Sequence, residues 1–170
     1  MGVWMAEEMV DVVNEADEVI GSAPRKGIHN AELRHRSAHI FLIDSKGRIW
    51  LEKRASTTDT YPGYYSSAAA GHISRGESYL EGAQREALEE LGIQGLALER
   101  MHTLQASKET SNEFVAFFIA RSDEKPRVHE DSLSLHPYSI EEIDGMIARG
   151  EKFVPIFLKL FKRYTEDMGR

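Results

Sequence analysis

The 170-residue chain is 41% hydrophobic, carries a formal net charge of −7 and contains no cysteine. That is enough apolar matter for one core, and the charge argues against an extended nucleic-acid footprint. The missing thiols exclude disulfides, cysteine catalysis and cysteine-ligated zinc, and no apolar run approaches the roughly 18 residues that cross a bilayer. No basic segment followed by an apolar one opens the sequence. The expectation is one domain over residues 1–170, cytoplasmic and without a membrane partner.

In chain order, residues 9–13 and 18–22 flank Asn14-Glu15-Ala16-Asp17 and predict an N-terminal hairpin over residues 9–22. Residues 24–36 are polar and predict a surface crossing. Strands are expected over 39–43 and 48–53, joined by the turn Asp44-Ser45-Lys46-Gly47, and over 64–70, running directly into Gly71. Leu80, Ala83, Ala87, Leu88 and Leu91 recur at three- and four-residue intervals, predicting a helix over 78–91 that ends at Gly92. Residues 99–106 and 113–121 predict an antiparallel pair. Ser139-Ile140-Glu141-Glu142 matches a capping box for a helix reaching Ala148. Pro155 opens a last amphipathic helix with Ile156, Phe157, Leu160, Phe161 and Tyr164 on one side, a stripe that reads as core. Strands interleaved with three helices predict an α/β (α+β) protein with a mixed sheet covered on both faces.

The chemistry concentrates between Gly71 and Ile93. Glu86, Glu89 and Glu90 stand at i, i+3 and i+4 of the predicted helix, on neighbouring points of one face. Each like-charge pair there costs an isolated helix roughly 0.2–0.5 kcal/mol. A hard divalent cation such as Mg2+ or Mn2+ turns that repulsion into binding, because such ions prefer carboxylate and phosphate oxygens. A solvated acidic face is the bland alternative, but it does not account for the accompanying Gly71, Glu77, Arg85 and Gly92 at their fixed spacing.

That spacing, Gly-x5-Glu-x7-Arg-Glu-apolar-x-Glu-Glu-x-Gly-apolar, is complete over residues 71–93, and the chain thereby resembles the Nudix hydrolases. The resemblance implies the Nudix-fold α/β/α sandwich and attack by water at phosphorus within a nucleoside diphosphate-X or related small diphosphate. It also implies Mg2+ (or Mn2+) held by Glu86, Glu89, Glu90 and the Gly71 carbonyl, with Arg85 pairing with Glu77 to orient the helix. The general base stays open between Glu90 and the loop pair Glu130/Asp131. Family habit implies a homodimer.

Within that family, Leu33-Arg34-His35-Arg36, Lys53-Arg54, Tyr61-Pro62-Gly63 and Ala70-Gly71-His72 resemble the isopentenyl-diphosphate-isomerase-like branch. True isomerases place a cysteine where this chain has Ala70, which can donate no proton to carbon. The resemblance implies a second metal site from His39, His72 and Glu113, with Ser111 where another glutamate is expected. Lys53, Arg54, His72 and Glu113 are candidates for binding substrate; a solvent-exposed strand edge is the competing reading of Lys53 and Arg54, and core packing that of His39. Tyr61, Tyr64 and Tyr65 fit either stacking on a ligand or core packing. His29 and His35 carry no assignment. A non-catalytic nucleotide-sensing module stands as the reading from another class.

Overall fold

The computed structural model describes residues 6–170. Its centre is a mixed sheet built on two long strands, β3 (His35–Ile43) and β8 (Glu113–Arg121), which lie parallel and in register from His35–Glu113 to Ile43–Arg121. Both are buried along nearly their whole length, which is why Ile40–Ile43 and Phe114–Ala120 read as continuous apolar runs without alternation. β7 (Glu99–Leu104) closes one edge, antiparallel to β8, as the paired pattern of residues 99–106 and 113–121 predicts.

The other half of the sheet forks. β4 (Ile49–Arg54) pairs with β3 only at Ile43–Ile49 and then leaves it. β5 (Tyr65–Ser67) and β9 (Ser132–Tyr138) take the two edges of β4, while β6 (Ala69–His72) takes the edge of β3. The strand predicted over 64–70 is therefore two strands, broken at Ala68, where the chain changes partner. β9 lies where the sequence offered no element: Pro137 demotes the segment as a strand, yet it sits opposite Trp50 in the ladder.

Helices cover both faces. α1 (Tyr79–Glu86) starts at a capping box in which Ser78 and Glu81 satisfy each other's backbone N–H groups at 2.8 and 3.2 Å. It passes into a π-helical turn, Ala87–Leu91, and ends at Gly92 with φ 69°, so the predicted 78–91 helix is irregular in its last turn. Ala83, Ala87 and Leu91 pack on Ala38, Ile40, Leu42, Ala116 and Phe118. On the opposite face, α2 (Ile140–Ala148) and α3 (Pro155–Asp167) cover Phe41, Ile43, Leu51, Val115 and Phe117. The predicted stripe of α3 is buried, and the whole is an α/β/α sandwich.

β1 (Met9–Val13) and β2 (Val19–Pro24) form a separate hairpin, as residues 9–22 predict. It holds the loop before α1: the Arg75 N–H donates to the Met9 carbonyl at 2.9 Å and the Gly76 N–H to Asp11 Oδ2 at 3.0 Å. The crossing between β2 and β3 is anchored by Ile28, only 1% exposed, so it is not purely a surface segment. No helix among the described residues is long and apolar enough to cross a membrane.

Phe157 is fully buried and meets Phe41, Phe153 and Phe161 at ring separations of 5.3, 5.3 and 5.7 Å. Phe157→Ala is expected to cost about 3–5 kcal/mol, read as a lower midpoint in urea unfolding with the slope unchanged.

Candidate active site

Where β4 leaves β3, an open cleft of ≈ 1480 Å³ forms, reaching from the loop around Arg25 and His29 to the loop around His129 and Asp131. β3 presents His35, Ser37 and His39 on one face; β6 adds Ala70 and His72 opposite them in register, and β8 places Glu113 beside His35. The helix side contributes Glu90, and β4 contributes Glu52 and Arg54.

Arg85 organises the acidic side. Its Nε and Nη2 donate to the two carboxylate oxygens of Glu77 at 2.7 and 2.9 Å, Nη1 donates to Glu86 Oε1 at 2.7 Å, and Nη2 also reaches the His72 carbonyl at 3.0 Å. These bonds hold Glu77 below the usual carboxylate range, against the opposing effect of burial. Glu86 is raised instead, because burial outweighs the same guanidinium. Its carboxylate lies so close to Gly71 that a Cβ there would overlap it, so any other residue at 71 displaces the Glu86 side chain. Glu90 is raised well above the ordinary value, first by burial and then by the neighbouring Glu86 charge, and its Oε2 accepts from the Ala70 N–H at 3.0 Å. Glu89 is exposed, within 3.5 Å of Arg85 Nη1. Buried carboxylates crowded at raised pKa are the state that a divalent cation relieves.

A second cluster lies at the other end of the floor. Nε2 of His29, His35 and His72 and Oε1 of Glu113 lie within 4.8 Å of one another. His72 Nε2 is 3.2 Å from His29 Nε2 and 3.3 Å from His35 Nε2, and the three stand 3.4–3.7 Å from Glu113. His35 Nδ1 donates to the Leu33 carbonyl at 2.7 Å, which leaves its Nε2 lone pair free for a ligand. Burial alone would raise Glu113; the His35 and His72 imidazoles against it outweigh that and hold the carboxyl below its ordinary range. Glu113 follows Ser111 and Asn112, both left-handed at φ 56° and 60°, and Asn112 Nδ2 ties this turn to the Glu32 carbonyl at 2.7 Å. Three imidazole nitrogens and one carboxylate oxygen form a donor set suited to a borderline divalent metal.

The site residues expected from sequence fall into three groups. Glu86, Glu90, Arg85 and Gly71 converge at the cleft's helix side, with Glu89 at its exposed margin, and Arg54, His72 and Glu113 line the cleft or its floor. Lys53 points elsewhere, over the Tyr65 ring at 5.1 Å, because it occupies the opposite face of β4 from Arg54. Of the base candidates, Asp131 lines the cleft while the exposed Glu130 is not among its lining residues.

His39 takes no part in the histidine cluster: its Nδ1 bonds Ser67 Oγ at 3.0 Å in a buried position. The imidazoles that join His72 and Glu113 are His29 and His35. The signal for His35 is the alternation His35-x-Ser37-x-His39, a polar face at the start of an otherwise apolar strand, whereas His29 lies in the turn before it and has no such signal. Tyr65 packs on Phe153, as core does, whereas Tyr61 lines the cleft.

A model of the NUDIX domain matches residues 33–159. An uncharacterised Nudix hydrolase from Yersinia pestis is 33% identical, the alignment covering 96% of this chain and 91% of that protein. Among solved structures, DR0079 from Deinococcus radiodurans superposes with a TM-score of 0.81 at 28% identity, covering 92% of this chain and 98% of that one. The NUDIX domain of Shewanella oneidensis NrtR, solved with ADP ribose, shares the fold with a TM-score of 0.64 at 11% identity, covering 79% and 88% of the two chains.

Burial lowers His39 from 6.5 to about 4. Its unfolded form therefore takes up a proton first as pH falls, so the neutral imidazole's contribution is full above pH 6.5 and is lost on the way down to about 4. The stability difference between wild type and His39→Gln is expected to shrink by about 2–3 kcal/mol between pH 7 and pH 4, measured by urea unfolding at each pH.

Proposed function

The chain belongs to the NUDIX domain family, and on that premise we propose that it is a divalent-metal-dependent hydrolase cleaving a diphosphate linkage by attack of water at phosphorus. The observation that carries this reading is the convergence of Glu86 against Gly71 and of Glu90 on the adjoining Ala70 N–H at the cleft, with Glu86 clamped by Arg85. The donor set fits Mg2+ or Mn2+: hard oxygens crowded from the buried Glu86 out to the exposed Glu89, around a backbone stripped of its Cβ. Glu86, Glu89, Glu90 and the Gly71 carbonyl would hold the ion. When bound, it would offset charge on the phosphoryl oxygens.

The chain's own groups do the rest. Arg85 fixes the helix and the loop before it as one unit, a positioning role. Arg54 faces the cleft with Nε and Nη2 held by the Thr60 carbonyl and hydroxyl at 3.0 and 3.3 Å. That leaves Nη1 to meet a phosphate oxygen. The cleft is lined mainly by charged and hydroxyl side chains, with Val154 and Ile156 among its few apolar ones. Such a lining favours a polar X group over an isoprenoid chain. Binding of ADP ribose by the NrtR domain makes a nucleoside diphosphate sugar a reasonable first probe.

The second metal site that the isopentenyl-diphosphate-isomerase-like resemblance implies has its counterpart here in the His29/His35/His72/Glu113 cluster, in place of one including His39. We read that cluster as a second metal centre on an isomerase-like scaffold. Ala70 lines the cleft in place of the acid such an isomerase needs, so hydrolysis is favoured over isomerisation.

Two experiments test these assignments. Product release from ADP-ribose, diadenosine tetraphosphate, GTP and isopentenyl diphosphate is expected to require Mg2+ or Mn2+. Glu90→Gln should lower turnover by about a hundredfold or more; a folded variant with wild-type turnover removes Glu90 from the mechanism. Separately, protein equilibrated with Zn2+ or Mn2+ and desalted should retain metal by elemental analysis, and His35→Gln/Glu113→Gln should lose about one equivalent. Equal metal content in both would dismiss the second centre.

A further inference from the structure

Across the cleft from Glu90 stands a carboxylate that no motif includes. Glu52 lies in the middle of β4, paired with Ser66 of β5 on one side and Leu135 of β9 on the other, so its backbone is fixed by two ladders. Its side chain lines the cleft. Ser132 Oγ donates to Oε1 at 2.5 Å, and among the described residues Oε2 makes no hydrogen bond. Arg54 follows two residues later on the same face, roughly 6–7 Å along the strand. β4 thus presents a carboxylate and a guanidinium side by side, facing the carboxylates of the helix.

We propose that Glu52 accepts the proton of the attacking water; the inference rests on the hydrolase reading above. In this step one O–H bond of water breaks and its proton passes to Glu52. The water oxygen forms the new bond to phosphorus, and the bridging P–O bond breaks, its electron pair leaving on the departing phosphate. Arg54 beside it meets charge on the phosphoryl oxygens.

The other carboxylates are less suited. Glu90 has one oxygen committed to the Ala70 N–H and belongs with Glu86 to the cation-holding set; a carboxylate engaged by a cation is a poor proton acceptor. Asp131 is exposed at the cleft, without the fixed position of a strand residue, and Glu130 does not line it. Burial raises the Glu52 carboxyl, opposed by the Ser132 hydrogen bond and by Arg54 and His129, while Asp131 adds to the rise. That direction moves a carboxylate toward the range in which a base works near neutral pH.

The competing account is structural: Glu52 and Ser132 merely tie β9 to β4 next to the register shift between Lys53 and Arg54. Glu52→Gln separates the two, because an amide oxygen still accepts from Ser132 but takes no proton from water. With the fastest-cleaved of ADP-ribose, diadenosine tetraphosphate, GTP and isopentenyl diphosphate, kcat should fall by about a hundredfold or more with KM within about threefold. Mn2+ affinity by electron paramagnetic resonance and the melting temperature should match wild type. Ser132→Ala should lower kcat by about tenfold.

A folded Glu52→Gln that keeps kcat within about threefold overturns the proposal. Loss of Mn2+ binding in that variant also overturns it, making Glu52 a metal ligand. Wild-type protein that cleaves none of the four compounds removes the hydrolase reading, and this inference falls with it. Cleavage by wild type and variant alike removes the inference alone.

Discussion

Four hydrogen bonds from one guanidinium decide the shape of the acidic site. Arg85 grips both oxygens of Glu77, one oxygen of Glu86 and the carbonyl of His72, and so joins the end of α1, the loop before it and the end of β6. Without it, Glu77 and Glu86 would be partly buried anions stripped of the counter-charge bonded to them, a costly arrangement. The surrounding structure is arranged to keep that grip. The β1–β2 hairpin pins the loop through Arg75 and Gly76, and the Ser78/Glu81 capping box fixes where the helix begins. The π-helical turn then carries Glu89 and Glu90; such turns interrupt regular helices at functional sites more often than elsewhere.

The cleft itself follows from a sheet that cannot stay paired. β3 and β4 share one residue pair, after which each finds other partners. Beside the gap the sequence changes character although the strand stays buried: His35, Ser37 and His39 give way to Phe41 and Ile43 once α3 covers the face. The polar residues are held in a rigid scaffold rather than on mobile loops, which suits a site whose groups must stay in register.

What was legible in the sequence was what is local. The 71–93 segment carries its carboxylates, clamp and caps within one loop and helix, so spacing alone exposed them. Residues 113–121 were legible as one continuous apolar run, and the two final helices because their periodicity is unbroken. Three things were not. The start of β3 was hidden because its polar residues face the cleft, so the predicted strand began at residue 39 instead of His35. The histidine cluster depends on the parallel register of β3 and β8, which sets His35 beside Glu113 across 78 residues of chain; no spacing rule reaches that far. β9 was masked by Pro137, and with it went Ser132 and its bond to Glu52.

Gly71 carries a consequence for how this chain can change over time. Its missing side chain is the space into which the Glu86 carboxylate fits, so the two positions behave as one unit of volume. A residue with a Cβ at position 71 would have to displace the Glu86 side chain and with it the Arg85–Glu86 bond, whereas a shorter residue at position 86 leaves room for one. Substitutions at the two positions should therefore depend on each other rather than add.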